Sequence, residues 1–119
     1  MNTLRVEVHA DAKDPSLSVF RLGGHLDAQT VRELEARFDD QVRSARVRWI
    51  VDLKDLEYIS SAGLGSFVGV LSELRSQGGD ILFTGLSSKM EKIFKVLGFT
   101  RIFRVFPSES EAVLAFKAS

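Results

Sequence analysis

The sequence contains no cysteine among its 119 residues. Disulfide bonds, cysteine-ligated zinc, iron–sulfur clusters and cysteine nucleophiles are therefore excluded, and a reducing compartment is compatible with this composition. Histidine is also scarce, because only His9 and His25 occur, and they are too far apart in sequence to act as paired metal ligands on one helix. We accordingly expect no metal site and no cofactor.

The chain also lacks an excess of charge of either sign. Lys and Arg together number 16, as do Asp and Glu, so the formal net charge is zero. Proteins dedicated to nucleic acids or anionic membranes carry a basic excess, so neither partner is expected. No apolar run approaches the roughly 18 residues of a transmembrane helix, and residues 1–7 do not resemble a signal peptide. The sequence predicts one cytoplasmic domain over residues 1–119, with no direct insertion into a membrane.

Apolar periodicity predicts elements in the order β-β-α-β-α-β-α-β-α. Two strands begin the chain as a hairpin, and helices then alternate with strands, which predicts an α/β fold with parallel crossovers. We expect a mixed central sheet covered by about four helices. The predicted strands are 4–8, 17–22, 47–53, 81–83 and 102–106. The predicted helices are 27–42, 62–76, 88–97 and 108–116.

Polar residues and glycines predict where these elements begin and end. Asp27 is expected as the N-cap of the first helix, with Thr30 and Glu33 as a second capping pair just inside it. Serine followed three residues later by glutamate predicts capping boxes at two further helices, namely Ser88–Glu91 and Ser108–Glu111. Glycines are expected to end the regular part of the second strand, at 23–24, and to end the second helix, at 78–79.

The segment 52–65 differs from the other connections. It is predicted as a loop at the C-terminal end of the central strand, where open α/β sheets place ligands and contacts. Ser60 and Ser61 occupy the expected N-cap of the following helix, whose first acidic residue is the distant Glu73. Its N-terminal N–H groups are therefore available to another anion. Small residues follow at Ala62 and Gly63, which predicts that another surface approaches closely there, although the serines could also serve only as caps.

The sequence matches the motifs of known enzyme classes only poorly. The glycines at 63, 65 and 69 have the wrong spacing for a dinucleotide fingerprint and fall inside the predicted helix. His25 and Asp27 precede a helix, and nothing in the pattern orients the imidazole toward Ser61 as a catalytic triad would require. We interpret His25 as a turn residue and expect no catalytic residues and no enzymatic activity.

Two motifs resemble the signature of STAS domains, especially of bacterial anti-sigma factor antagonists. The family pattern of an apolar pair, Asp, Ser, Ser or Ala, Gly, Leu, Gly is matched by residues 58–65, and the family's Gly-x-Leu-Asp is matched by residues 24–27. The match places Ser61 at the serine that is phosphorylated in this family. Ser60 stands where these antagonists commonly have Asp, so Ser60 is kept as the alternative acceptor.

The resemblance implies a single STAS domain that is regulated by a partner kinase. The unphosphorylated form would bind an anti-sigma factor that is also a serine protein kinase, and phosphorylation would release it. A serine phosphatase would reverse the modification, and the free protein would be a monomer. The alternative is a constitutive regulatory or scaffold subunit that docks to another protein, such as a transporter complex. The expected partner-binding residues are Asp27, Ser60, Ser61, Ala62, Gly63 and Leu64.

Overall fold

The computed structural model describes residues 3–118, so the ends of the predicted 1–119 domain, residues 1, 2 and 119, lie outside the described residues. The strands are β1 (Leu4–Ala10), β2 (Leu17–Leu26), β3 (Arg48–Ile59), β4 (Asp80–Thr84) and β5 (Arg104–Phe106). The α-helices are α1 (Val31–Arg43), α2 (Ser61–Ser76), α3 (Ser88–Val96) and α4 (Glu109–Lys117). A short 3-10 helix, Phe99–Arg101, lies between α3 and β5. The predicted order of strands and α-helices is confirmed.

The strands form one mixed sheet in the order β1-β2-β3-β4-β5. β1 pairs antiparallel with β2, and each later neighbour pairs in parallel. Because each crossover adds the next strand on the same side, α1, α2 and α3 pack on one face of the sheet. Their buried residues, including Phe38, Phe67 and Phe94, share one core cluster. α4 contributes Ala112 and Phe116 to a smaller cluster with buried residues of β2, β3 and β4.

β2 continues irregularly beyond the glycines that are predicted to end its regular part. Gly23 and Gly24 lie inside the strand, which extends to Leu26. The pairing with β3 shifts register around both glycines, and Gly24 has a φ of +88°. Glycine is the residue best suited to such a positive φ, so the pair forms an irregularity within the strand and does not terminate it.

β3 is longer than predicted, because residues 54–59 are strand and not loop. This extension pairs only with β2, since β4 ends at Thr84 opposite Asp52. Buried apolar residues recur at every third position along this part of the strand, at Leu53, Leu56 and Ile59. A strand is recognised in a sequence by apolar residues at every second position, and this three-residue spacing lacks that pattern. The register shifts between β2 and β3 account for the three-residue spacing.

Two boundaries near the C-terminus also differ from the prediction. The N-cap of α3 is Ser87, whose Oγ accepts a hydrogen bond from Met90 N at 3.2 Å, so the capping box predicted at Ser88 is wrong by one residue. β5 begins at Arg104 and not at residue 102, because backbone bonds such as Phe103 N to Phe99 O (2.8 Å) keep the preceding residues in a turn. The cap predicted for α4 is confirmed, since Ser108 Oγ accepts from Glu111 N.

Candidate functional site

The extension of β3 joins the sheet to α2 through a single residue, Ser60. The backbone N–H of Ser60 donates to the carbonyl oxygen of Leu26 at 2.9 Å, and Ile59 pairs with Leu26 in the ladder. The end of β2 and the beginning of α2 are therefore fixed to each other. This connection brings the two sequence motifs, residues 24–27 and 58–65, to one place at the C-terminal edge of the sheet.

Ser60 and Ser61 have different environments. Ser60 is the N-cap of α2, is half-buried, and its Oγ accepts a hydrogen bond from Gly63 N at 3.3 Å. Ser61 is the first residue of the helix and is exposed. The Ser61 hydroxyl makes no hydrogen bond to any of residues 3–118. The structure thus gives the capping role to Ser60 and leaves the Ser61 hydroxyl facing solvent.

The N-terminus of α2 carries no acidic side chain in its first turn. The other α-helices have one or two carboxylates at this position, namely Glu33, Glu91, and the pair Glu109 and Glu111. Carboxylates there complement the partial positive charge that the aligned peptide dipoles create. At α2 no carboxylate offsets this partial positive charge, so a negatively charged group on Ser61 would lie in a favourable field.

Gly63 and Leu64 are buried, so they do not present side-chain surface to a partner. The expectation that Gly63 makes room for an approaching surface is wrong. A Cβ at Gly63 would lie 2.7 Å from Leu26 Cγ and 3.1 Å from Ile59 Cγ1, so this glycine instead lets α2 pack closely on β2 and β3. Ala62 is exposed and remains available beside Ser61.

Asp27 is not the N-cap of α1, which is Thr30, and Thr30 makes no capping bond to Glu33 with its side chain. Asp27 Oδ1 instead accepts from the backbone N–H groups of Gln29 at 2.9 Å and Thr30 at 3.2 Å, and so stabilises the turn before the helix. The buried Thr30 hydroxyl accepts from Asp27 N and donates to His25 O, so it is directed to the turn before α1 and makes no capping bond to the helix. Asp27 is half-buried and follows Leu26, whose carbonyl oxygen accepts from Ser60 N, so the backbone of Asp27 lies beside the Ser60 connection.

His25 and Tyr58 form an aromatic pair next to the two serines. The sequence analysis does not assign this pair to the site. His25 lies within β2 and pairs with Tyr58 of β3, so its interpretation as a turn residue is wrong. The two ring centroids are 6.0 Å apart, and Tyr58 is 48% exposed. The signal in the sequence for this pair is a tyrosine two residues before the N-cap, at a position where the family pattern has an apolar residue.

Within residues 3–118 no helix is long and apolar enough to cross a membrane. In the same part of the chain, no group of three or more His, Asp or Glu side chains is arranged to hold a metal ion.

Comparison of the sequence with known proteins identifies one family. A profile of the STAS domain matches residues 7–112. BtrV of Bordetella bronchiseptica, whose name assigns it provisionally as an anti-sigma factor antagonist, is 35% identical over 98 residues, which are 82% of this chain and 84% of that protein. The anti-sigma-B factor antagonist of Staphylococcus aureus is 31% identical over 85 residues, which are 71% of this chain and 79% of that protein.

The solved structures of SpoIIAA, an anti-sigma factor antagonist, share the fold. The phosphorylated form from Bacillus has a TM-score of 0.72 at 22% identity and covers 94% of this chain and 99% of its own. The unphosphorylated form has a TM-score of 0.74 at 19% identity and covers 97% of this chain and 99% of its own. Because the STAS profile spans most of the sequence, and two relatives exceed 30% identity over most of its length, this chain belongs to the STAS domain family.

Proposed function

We propose that this protein is an anti-sigma factor antagonist, that residues 1–119 form one STAS domain, and that its binding is controlled by phosphorylation of Ser61. The unphosphorylated form binds an anti-sigma factor that is also a serine protein kinase, which frees the sigma factor in the cytoplasm. The kinase then phosphorylates Ser61 and is released, and a serine phosphatase restores the binding form. The proposal needs no catalytic residue in this chain, which acts as the kinase's substrate and ligand.

The observation that carries the proposal is the difference between the two serines. A phosphoryl acceptor must present its hydroxyl oxygen to the kinase, and Ser61 is exposed without a hydrogen-bond partner among the described residues. Ser60 is half-buried and its oxygen already caps α2 through Gly63 N. Because the Ser60 oxygen is already engaged in this cap and Ser61 is the exposed hydroxyl, Ser61 is the proposed acceptor.

A phosphate on Ser61 would change binding more than folding. It adds a charge of about −1.5 to −2 at pH 7. The acid-free N-terminus of α2 would tolerate this charge, with a stabilisation of up to roughly 1 kcal/mol. A partner packed over Ala62 and Ser61 would instead bury the charge without a counterion. An unpaired buried charge costs roughly 3–5 kcal/mol, which weakens binding by about a hundredfold to several thousandfold.

The relatives support this assignment. The Staphylococcus aureus relative is an anti-sigma-B factor antagonist at 31% identity, and BtrV carries the same provisional assignment. SpoIIAA, which shares the fold, has been solved in both a phosphorylated and an unphosphorylated form. The partner residues that we propose are Asp27, Ser60, Ser61 and Ala62, with Gly63 and Leu64 holding the helix in position beneath them.

The test compares Ser61→Glu with Ser61→Ala, using Ser110→Glu, the same change at an exposed position in the first turn of α4, as the control. Immobilised proteins are incubated with extract of the producing cells, and the retained proteins are quantified by mass spectrometry. We expect wild type and Ser61→Ala to retain the same kinase, and Ser61→Glu to lose it while melting at the wild-type temperature. Equal retention by Ser61→Glu would contradict the switch and favour the alternative of a constitutive docking subunit.

A further inference from the structure

A groove runs between α1 and α2 on the side of the molecule that carries Ser61. Its volume is about 410 Å³, and its floor on α2 is made of small residues, Ala62, Gly65 and Gly69. Ala62 is adjacent to Ser61, so the groove begins where the proposed site ends. A protein bound over Ser61 would therefore meet the open end of the groove.

The two glycines of the floor are not required by the packing of this chain. A Cβ at Gly65 or Gly69 would have no atom within 4 Å, and both positions are exposed. This contrasts with Gly63, where close contact with Leu26 excludes a side chain. Glycine is unfavourable inside a helix, so its presence twice on this open face is not explained by the isolated fold.

The rim of the groove is acidic. Glu35 and Asp39 of α1 and Glu73 of α2 line it, and no basic side chain does so. All three are exposed and form no ion pair with any of residues 3–118. Glu35 and Asp39 are four residues apart, the spacing at which like charges on a helix repel each other. The repulsion destabilises α1 when the groove is empty, and a positively charged segment bound in the groove would relieve it.

We propose that this groove receives a segment of the partner that carries Lys or Arg side chains, and that the same partner contacts Ser61. This inference rests on the proposed function and identifies the chemistry of the surface that recognises the chain. The glycine floor lets the backbone of the segment approach closely, while its basic side chains reach the carboxylates of Glu35, Asp39 and Glu73. The basic side chains are paired with these three carboxylates and are therefore not counterions for a phosphate on Ser61, so the two groups control separate parts of one interface.

The proposal is tested by photo-cross-linking in the producing cells. A photoreactive amino acid is placed at Ala62, at Gly69 in the groove, or at the control position Leu114, which is 63% exposed on α4 at the opposite face of the sheet. We expect positions 62 and 69 to cross-link to the same protein, and position 69 to attach within a peptide rich in Lys and Arg. Position 114 should not capture that protein.

A pair of charge variants separates this inference from the proposed function. Glu35→Gln with Glu73→Gln should lower the cross-linking yield from position 62 at least fivefold. Glu7→Gln with Asp55→Asn, which makes the same change of net charge on exposed residues away from the groove, should leave the yield unchanged.

Each outcome supports or overturns one of the two claims. Equal yields from both charge variants, a neutral or acidic cross-linked peptide, or attachment to a second copy of this chain would overturn the basic-segment inference alone. A cross-link from position 69 without one from position 62 would instead contradict the proposed site at Ser61. The absence of cross-links from both positions would contradict both claims.

Discussion

Replacing Gly63 by alanine would test how α2, and with it Ser61, is held against the sheet. The added Cβ would lie 2.7 Å from Leu26 Cγ, 3.0 Å from Leu26 O and 3.1 Å from Ile59 Cγ1. Leu26 is fully buried and its carbonyl oxygen accepts from Ser60 N, so neither can move without disturbing the connection to α2. Gly65→Ala is a matched control two residues away on the same helix, because its Cβ would have no atom within 4 Å.

The two substitutions are expected to change stability in opposite directions. Alanine is favoured over glycine in a helix by about 1 kcal/mol, and Gly65→Ala should gain most of this amount. At Gly63 the same gain is outweighed by overpacking, which typically costs 1–3 kcal/mol and is near its upper end where buried atoms approach within 3 Å. The expected net loss is about 1–2 kcal/mol, so the two variants should differ by roughly 2–3 kcal/mol.

Thermal and urea unfolding of both variants would measure this difference. For a domain of this size, 1 kcal/mol corresponds to a change of about 4 °C in Tm, so Gly65→Ala should melt above wild type and Gly63→Ala below it. If Gly63→Ala is as stable as Gly65→Ala, α2 is not seated closely on β2 and β3. The position assigned to Ser61 would then be incorrect.

Three further predictions concern the serines and one acidic turn. Ser60→Ala should lower the free energy of unfolding by about 1 kcal/mol through loss of the α2 cap, whereas Ser61→Ala should leave it nearly unchanged in urea unfolding. Ser61→Glu should melt at or slightly above the wild-type temperature, and a clear fall in Tm would contradict the favourable field at this helix end. A hydrogen bond from the Ser16 hydroxyl at 2.6 Å holds the pKa of Asp14 below its ordinary value of 3.8. Its contribution to stability is therefore present above that value and is lost as the pH falls through the lowered pKa, so Asp14→Asn should flatten the acid limb of a Tm-against-pH curve below about pH 4.

The order of the elements was predictable because most helices and strands keep one clear period. α2 and α3 each bury one face, and β1 alternates exposed and half-buried residues along its whole length. β3 was predicted too short because the irregular pairing around Gly23 and Gly24 changes its apolar spacing from two to three. A single sequence gives no sign that a neighbouring strand carries such an irregularity.

The site was predicted in part, and the remainder depends on packing that the sequence does not display. Both serines were placed correctly at the start of α2, but only the geometry of the cap distinguishes Ser60 from Ser61. Gly63 and Gly65 look equivalent in the sequence, although one is enclosed by Leu26 and the other is open. Tyr58 and His25 become neighbours only through the pairing of β2 with β3.

The central claim is that Ser61 carries a reversible phosphate, and phosphopeptide mass spectrometry tests it most directly. Trypsin would release residues 55–75, which contain Ser60 and Ser61 together with two later serines. Protein purified from its own cells during growth and under stress should show phosphate on Ser61 in a proportion that changes between the two conditions. A peptide that is unmodified in both conditions, or that is phosphorylated only on another serine, would contradict the account.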